Sequence, residues 1–173
     1  GNIKIKILSD KKTFLPKMKV GEILCKTPFI FSKYFQMKKE TKNSFYKNYF
    51  KTGDIGYLNK KNYLYYLGRK KNIIKVSGNM VYAEDIESII IKNKNILESA
   101  VMGLSDKNGF EKIILCVVLK NKNYSKEKLF NYCQKNLTSF QQPFKILFLK
   151  SFNKTNLGKL DRPKIKKKIL LKL

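Results

Sequence analysis

The chain has 173 residues, of which 43% are hydrophobic and 13% aromatic, and its 38 basic residues outweigh 12 acidic ones to give a formal net charge of +26. This apolar content can bury one modest core or two small ones, and it excludes a disordered chain. The sequence has no histidine and three cysteines without a short spacing, which excludes a disulfide framework, a zinc site and imidazole catalysis.

Neither a membrane span nor a metal site is expected from these residues. The longest apolar run, residues 113–119, is far shorter than the roughly 20 residues that a membrane helix needs. We expect a reducing, cytoplasmic location, because cysteines there are kept as thiols.

The positive charge is a weak indicator of function. Its lysines are scattered along the chain, whereas a nucleic-acid-binding surface concentrates charge on one face with interleaved aromatic residues. Only Arg69 and Arg162 are arginines. We therefore expect no specific nucleic-acid partner.

Residues 3–66 carry short patterns that are typical of strands and turns. The first of them, 3–8, alternates apolar and basic residues with a period of two. Brief apolar runs follow at 21–25 and 63–67, and glycine, asparagine, aspartate and proline separate them. This part of the chain is predicted to be rich in β-strands.

After Gly68 the pattern changes to longer elements that alternate strands and helices. The predicted elements are a hairpin at 73–81, a helix at 83–94, strands at 97–103 and 113–119, a helix from 126 to about 137, a strand at 145–150, a polar loop at 153–158 and a lysine-rich tail with helical character. The strand at 113–119 is apolar on both faces, so we expect it at the centre of its sheet. These elements predict a compact α+β unit.

The helix that begins near residue 126 has a clear start and an apolar stripe. Ser125 is expected to cap its first turn. Leu129, Phe130, Cys133 and Leu137 are expected to share its buried side.

Single motifs leave the chemistry open. Asp54, in the Thr-Gly-Asp triplet 52–54, suits a turn, but its acceptor-only carboxylate also suits the two hydroxyls of a ribose. Gly158 and Lys159 suggest a phosphate loop, yet Asn153 replaces its first glycine and Leu160 its Ser/Thr. A Walker loop is therefore excluded.

The order and spacing of the motifs carry more information than any one of them. The segment KTGDIGYLNKKNYLYYLGRKKNIIKVSGNMVYAEDIE at 51–87 is followed about 70 residues later by NLGKLDR at 156–162. Together they resemble the adenylate-forming (AMP-binding) superfamily, most closely fatty acyl-CoA synthetases. The resemblance implies that residues 1–67 are the β-rich, barrel-like end of a large adenylating domain. It also implies a hinge at 68–72 and, at 73–173, a mobile C-terminal domain with a short sheet flanked by helices.

The resemblance implies four roles near the nucleotide. Asp54 matches the aspartate that binds the adenylate ribose, and Arg69 matches an arginine near the nucleotide. Lys159 matches the lysine inserted during adenylation, and Lys75 one near the adenylate during thioester formation. A fixed cation suits adenylation, because a carboxylate must approach the anionic α-phosphate of ATP.

Three further positions acquire roles in domain movement and thiol binding. Lys71 falls at the hinge position, and Ser77 with Gly78 matches the loop that lines the pantetheine channel. Two residues depart from the family pattern: Met80 replaces a polar residue and Ala83 a common proline. We expect weaker phosphate contacts at the first and a looser helix start at the second.

The implied cofactors and partners are those of an acid–thiol ligase. They are ATP with Mg²⁺, coenzyme A as co-substrate, a carboxylic acid that we expect to be a fatty acid, and the enzyme's own N-terminal adenylating domain. The family's upstream phosphate loop and aromatic-Gly-Thr-Glu segment do not occur in these 173 residues. We therefore expect the C-terminal portion of a larger ligase, or a separately encoded piece of one, that is inactive by itself.

Two alternatives remain open at the level of sequence. One is an acyl- or aminoacyl-carrier-protein ligase, which shares the adenylation step but delivers the acyl group to a tethered phosphopantetheine. The other is a noncatalytic basic binding module.

Overall fold

A computed structural model describes residues 3–171. The chain divides into two compact units, Gly1–Lys71 and Asn72–Leu173. The first is rich in strands and the second combines a short sheet with helices, which confirms the predicted fold class. No helix within residues 3–171 has the length and apolarity needed to span a bilayer.

The first unit is built on one antiparallel sheet. Its elements are β1 (Lys4–Leu8), β2 (Gly21–Lys26), α1 (Lys38–Asn43), β3 (Phe45–Tyr46), β4 (Tyr49–Leu58) and β5 (Leu64–Arg69). Strand β2 lies between β1 and β4, and both β3 and β5 pair with β4. Strands β4 and β5 approach so closely that a Cβ on Gly56 would lie 2.2 Å from the Tyr65 carbonyl oxygen, so only glycine fits there.

The second unit begins with a β-hairpin and continues as an α+β fold. Its elements are β6 (Ile73–Val76), β7 (Asn79–Tyr82), α2 (Ala83–Ile90), β8 (Ile96–Ser105), β9 (Glu111–Leu119), α3 (Lys126–Asn136), β10 (Lys145–Phe148) and α4 (Arg162–Leu170). Strand β9 lies between β8, which is antiparallel to it, and β10, which is parallel. Its predicted central position is confirmed.

The two faces of this three-stranded sheet carry separate cores. Helices α2 and α3 cover one face with fully buried side chains such as Ile86 and Leu129. Helix α4 covers the other face with Ile165 and Ile169. The lysine-rich tail is therefore a helix whose apolar positions, four residues apart, reach the core while its lysines remain exposed.

Two local predictions were wrong. Helix α2 ends at Ile90 instead of residue 94, because the buried Asn93 bonds the Tyr124 hydroxyl and the Asn95 backbone N–H and so shapes a turn. Phe130 is 42% exposed, because the buried stripe of α3 follows a spacing of four residues through Leu129 and Cys133 and leaves the next residue outside.

Candidate functional site

The Asp54 corner, formed by Thr52, Gly53, Asp54 and Arg69, lies where β4 and β5 pair. Asp54 stands opposite Arg69 in the strand register, which brings the Arg69 Nε within 2.9 Å of the Asp54 Oδ1. Gly53 takes a left-handed backbone conformation at φ +72°, which favours glycine. Thr52 Oγ1 accepts from the Asp54 N–H and donates to the Ile23 carbonyl, which fixes the bend to the sheet.

The carboxylate at this corner retains hydrogen-bonding capacity. Its Oδ1 is buried and accepts no hydrogen bond despite the nearby guanidinium, so the contact is one of charge. Arg69 instead donates from Nη1 to the Thr52 carbonyl at 3.2 Å. The Asp54 side chain as a whole is 24% exposed, so the accessible part of its carboxylate can accept a hydrogen bond from a ligand hydroxyl. The corner thus fits a group such as a ribose diol.

The joint between the two units is a short 3-10 turn, Lys70–Asn72. Lys70 Nζ lies 2.8 Å from the buried Glu22 of the first unit. Asn72 donates through Nδ2 to Glu84 of the second unit. The side chains on both sides of Lys71 are therefore anchored, each within its own unit, whereas Lys71 itself is exposed.

The hairpin β6–β7 presents Lys75, Ser77 and Gly78 on an exposed surface. Ser77 and Gly78 form its two-residue turn with φ values of +47° and +82°, the pattern of a type I′ turn. A Cβ on Gly78 would meet no atom within 4 Å, so the tip is open. The opposite face is fixed, because Ile74 and Val81 are buried.

Lys75 is exposed on the outer face of this hairpin. Its backbone N–H donates to the Glu111 carboxylate at 2.6 Å, which ties β6 to the start of β9. Met80 stands opposite Lys75 and is 54% exposed, so an apolar side chain lies beside Lys75 on this outer face. Ala83 is buried at the start of α2, where no side chain caps the helix.

Residues 153–161 form a second small hairpin, which we call the lysine hairpin. Lys154 pairs with Leu160, and the Thr155 N–H donates to the Lys159 carbonyl at 2.8 Å. Gly158 supplies the left-handed turn residue at φ +75°. Within residues 3–171, no hydrogen bond or ion pair holds the Lys159 side chain, which is exposed at this tip. A free ammonium group on an exposed turn can pair with an anion.

The base of the lysine hairpin is fixed by an ion pair that joins α4 to α2. Arg162 donates from Nη2 to both oxygens of Glu87 at 2.8 Å, and from Nη1 to the Val101 carbonyl at 2.8 Å. Glu87 in turn accepts from the Val101 N–H at 2.6 Å. Burial raises the pKa of Glu87, although Arg162 and the Val101 N–H act in the opposite direction.

Apart from Lys71 at the joint, the predicted residues therefore occupy three local sites. Asp54 and Arg69 are in contact, Lys75 shares one hairpin with Ser77 and Gly78, and Lys159 stands on another. Sequence reasoning missed the role of Glu87, which no local motif marks. It also missed Arg162 as the partner of Glu87. The rarity of arginine in this lysine-rich chain, which has only two, could have indicated a special role for this residue. Within residues 3–171 no cluster of acidic, cysteine or histidine side chains could hold a metal ion.

Comparisons with known proteins agree with these motifs. Residues 85–159 match the model of the AMP-binding enzyme C-terminal domain. The chain is 34% identical to the 2-succinylbenzoate–CoA ligase of Listeria innocua over 163 residues, covering 92% of this chain and 35% of the relative. It is 31% identical to the long-chain-fatty-acid–CoA ligase FadD13 of Mycobacterium tuberculosis over 140 residues, covering 81% and 28%.

Solved structures give the same result. The o-succinylbenzoate CoA synthetase of Bacillus subtilis, in complex with its acyl-adenylate intermediate, superposes with a TM-score of 0.87 and 30% identity over 95% of this chain and 34% of that one. ATP-bound MatB of Rhodopseudomonas palustris gives 0.88 and 26% over 97% and 34%.

The chain belongs to the adenylate-forming (AMP-binding) enzymes and corresponds to their C-terminal part. Within that family, the curated relatives described above are CoA ligases. The chain spans about a third of the length of the curated relatives it matches.

Proposed function

We propose that this chain is the C-terminal region of an ATP-dependent, AMP-forming acyl- or aryl-CoA ligase. Its role is to supply a lysine for adenylation and a glycine turn for thiol entry to an N-terminal adenylating domain. The observation that carries the proposal is that the exposed Lys159 side chain has no hydrogen-bond or ion-pair partner among residues 3–171, on an anchored hairpin within the segment that matches the family model. The proposed setting is the cytoplasm.

Lys159 would act during the first half-reaction. Formation of the acyl-adenylate brings the substrate carboxylate to the α-phosphate of ATP, and these anions repel each other. A cation held between them stabilises the transition state more than the separated reactants, which is the condition for catalysis. ATP supplies the adenylyl group and pyrophosphate leaves. The Asp54 carboxylate would accept hydrogen bonds from the ribose hydroxyls, and Arg69 would hold that carboxylate in place.

The β6–β7 hairpin would act during the second half-reaction. There the CoA thiol attacks the acyl-adenylate carbonyl carbon, a thioester forms and AMP leaves. A turn without a Cβ at Gly78 suits the passage of a narrow pantetheine arm, and Lys75 on the same exposed face would lie near the adenylate. Exchange between the two hairpins requires a joint, and the exposed Lys71 between two anchored neighbours suits that role.

The proposal is tested by pairing the chain with its adenylating domain. We expect acyl-CoA formation from ATP, CoA and a carboxylic acid, and no ATP–pyrophosphate exchange by the chain alone. A panel of acids that includes palmitate and 2-succinylbenzoate tests the substrate class. Activity with palmitate would support the fatty acid that we expect from the sequence, and activity with 2-succinylbenzoate would indicate an aryl acid. Transfer to a carrier protein but not to CoA would favour the carrier-protein alternative, and absence of any acyl-adenylate would contradict the proposal.

Substitution of Gly78 tests the thiol role directly. We expect Gly78→Leu to lower thioester formation from supplied acyl-adenylate by about 10-fold or more, because the side chain would occupy the arm's path and the left-handed backbone disfavours it. Adenylation should stay unchanged. Gly109→Leu is the matched control, because Gly109 has a similar φ of +81° and equally open surroundings in another turn. Equal thioester rates in the two variants would remove the role of Gly78.

A further inference from the structure

The Arg162–Glu87 pair lies directly after the lysine hairpin in the chain and closes its base. Arg162 is three residues beyond Lys159. The residue just before it, Asp161, donates its N–H to the Asn153 carbonyl at 2.9 Å. Asp161 also accepts the Lys164 N–H and so caps α4. The start of the helix and the end of the hairpin are therefore one continuous, hydrogen-bonded segment.

The pair also completes the open edge of the sheet. Strand β8 is an outer strand of the three-stranded sheet, and Val101 uses its N–H and C=O away from β9. Glu87 accepts a hydrogen bond from the Val101 N–H, and Arg162 donates one to the Val101 carbonyl. These two side chains therefore pair the backbone groups that a further strand would otherwise pair. Unpaired edge groups that are partly buried would be costly. The base is thus held by four hydrogen bonds among three residues.

The tip has no comparable support. Among the described residues, no side-chain hydrogen bond or ion pair is made by Thr155, Asn156 or Lys159, and Leu157 is 85% exposed. Lys154 does form an ion pair with Glu98 at 2.9 Å, but its side chain is 47% exposed, so water screens the attraction. The direction in which Lys159 projects is consequently set at the base, through the backbone.

We propose that Arg162 is a positioning residue for Lys159. With Glu87 and Val101 it fixes the angle at which the lysine hairpin leaves the sheet, so that the ammonium group reaches the reacting phosphate in a defined place. This inference rests on the proposed function, because it gives that function's lysine its geometry. Arg162 itself need not touch ATP or the acid.

The choice of arginine follows from the geometry. The planar guanidinium uses two nitrogens held in one plane: Nη2 bonds both oxygens of the Glu87 carboxylate and Nη1 bonds the Val101 carbonyl, all at 2.8 Å. A lysine ammonium has a single nitrogen and cannot serve the carboxylate and the carbonyl in this planar arrangement, although lysine is by far the commoner basic residue in this chain. Arg162→Lys therefore keeps the charge and removes the geometry.

The test compares the two half-reactions of the ligase that contains this chain. We expect Arg162→Lys to lower acyl-adenylate formation by about 10- to 100-fold, since misplacement of a catalytic group by 1 Å costs about 100-fold. Thioester formation from supplied acyl-adenylate should stay within about 2-fold, because the proposed second half-reaction does not use Lys159. Lys154→Met is the matched control, because it breaks an exposed ion pair on the same hairpin, and less than about 5-fold loss is expected.

A second comparison separates positioning from a merely structural role. In a Lys159→Ala background, Arg162→Lys should cause no further loss of adenylation, because there is no ammonium group left to position. Further loss there, or equal loss of both half-reactions in the single variant, would overturn the inference. Should Arg162→Lys fail to fold, Glu87→Gln gives the same test while keeping an acceptor for the Val101 N–H. Adenylation unaffected by Lys159→Ala would instead overturn the proposed function itself.

Discussion

The only two arginines of the chain each face a carboxylate, but the two pairs are built differently. Arg162 and Glu87 are 20% and 16% exposed, are joined by two hydrogen bonds and share a backbone residue. Arg69 and Asp54 are 48% and 24% exposed, and the Asp54 Oδ1 accepts no hydrogen bond. The Glu87 carboxylate already uses its hydrogen bonds within the fold, which suits a structural role. The Asp54 carboxylate can still accept hydrogen bonds, which suits the binding of a ligand. The contrast shows that the same two chemical groups can hold a fold together or receive a substrate, according to which bonds are already used.

The largest difference is expected in stability. Arg162→Ala leaves the largely buried Glu87 carboxylate without its cation. We therefore expect the free energy of unfolding to fall by about 2 to 3 kcal/mol. Arg69→Ala, at an exposed pair, should cost at most about 1 kcal/mol. Urea unfolding of the whole chain measures both. Equal losses would show that the two pairs do not differ as described.

A smaller effect is expected on nucleotide binding. Asp54→Asn removes the charged acceptor but keeps the shape, so binding of the acyl-adenylate should weaken by about 10- to 100-fold, the value of hydrogen bonds to a charged group. Stability should change little. Isothermal titration of the complete ligase with a nonreactive adenylate analogue measures this, and Glu87→Gln is the comparison that should leave affinity nearly unchanged. The opposite ranking of the two variants would contradict the assignment.

The smallest effect is expected in the pH dependence of stability. Burial, followed by the smaller effect of Glu84, raises the pKa of Glu87 above its ordinary value of 4.5, while Arg162 and the Val101 N–H lower it in part. The folded chain then binds the proton more tightly than the unfolded chain, so stability falls as pH rises from 4.5 through the raised pKa. Unfolding measured across that range should show this fall in the native chain and lose it in Glu87→Gln. An identical pH profile in both would contradict the raised pKa.

Regular elements were predictable because they depend on local patterns. The apolar strand β9, the Ser125 cap and the β6–β7 hairpin all follow from residues adjacent in sequence. The contact between Asp54 and Arg69 also follows, once β4 and β5 pair as neighbouring antiparallel strands.

Features that depend on distant residues were not predictable. Glu87 and Arg162 lie 75 positions apart in the sequence. The residues around each of them do not indicate that both will bond the backbone of Val101 at the edge of the sheet. The early end of α2 likewise depends on Tyr124, 31 residues beyond Asn93. Sequence spacing located the candidate residues, whereas the means of holding them required the tertiary structure.

The most direct measurement is the effect of Lys159→Ala on each half-reaction of the ligase that contains this chain. Removing one fixed charge should lower ATP–pyrophosphate exchange by about 100- to 1,000-fold. Thioester formation from supplied acyl-adenylate should remain near the native rate, and Lys167→Ala, an exposed lysine on α4, should leave both reactions unchanged. Equal loss of the two half-reactions, or no loss of exchange, would contradict the account.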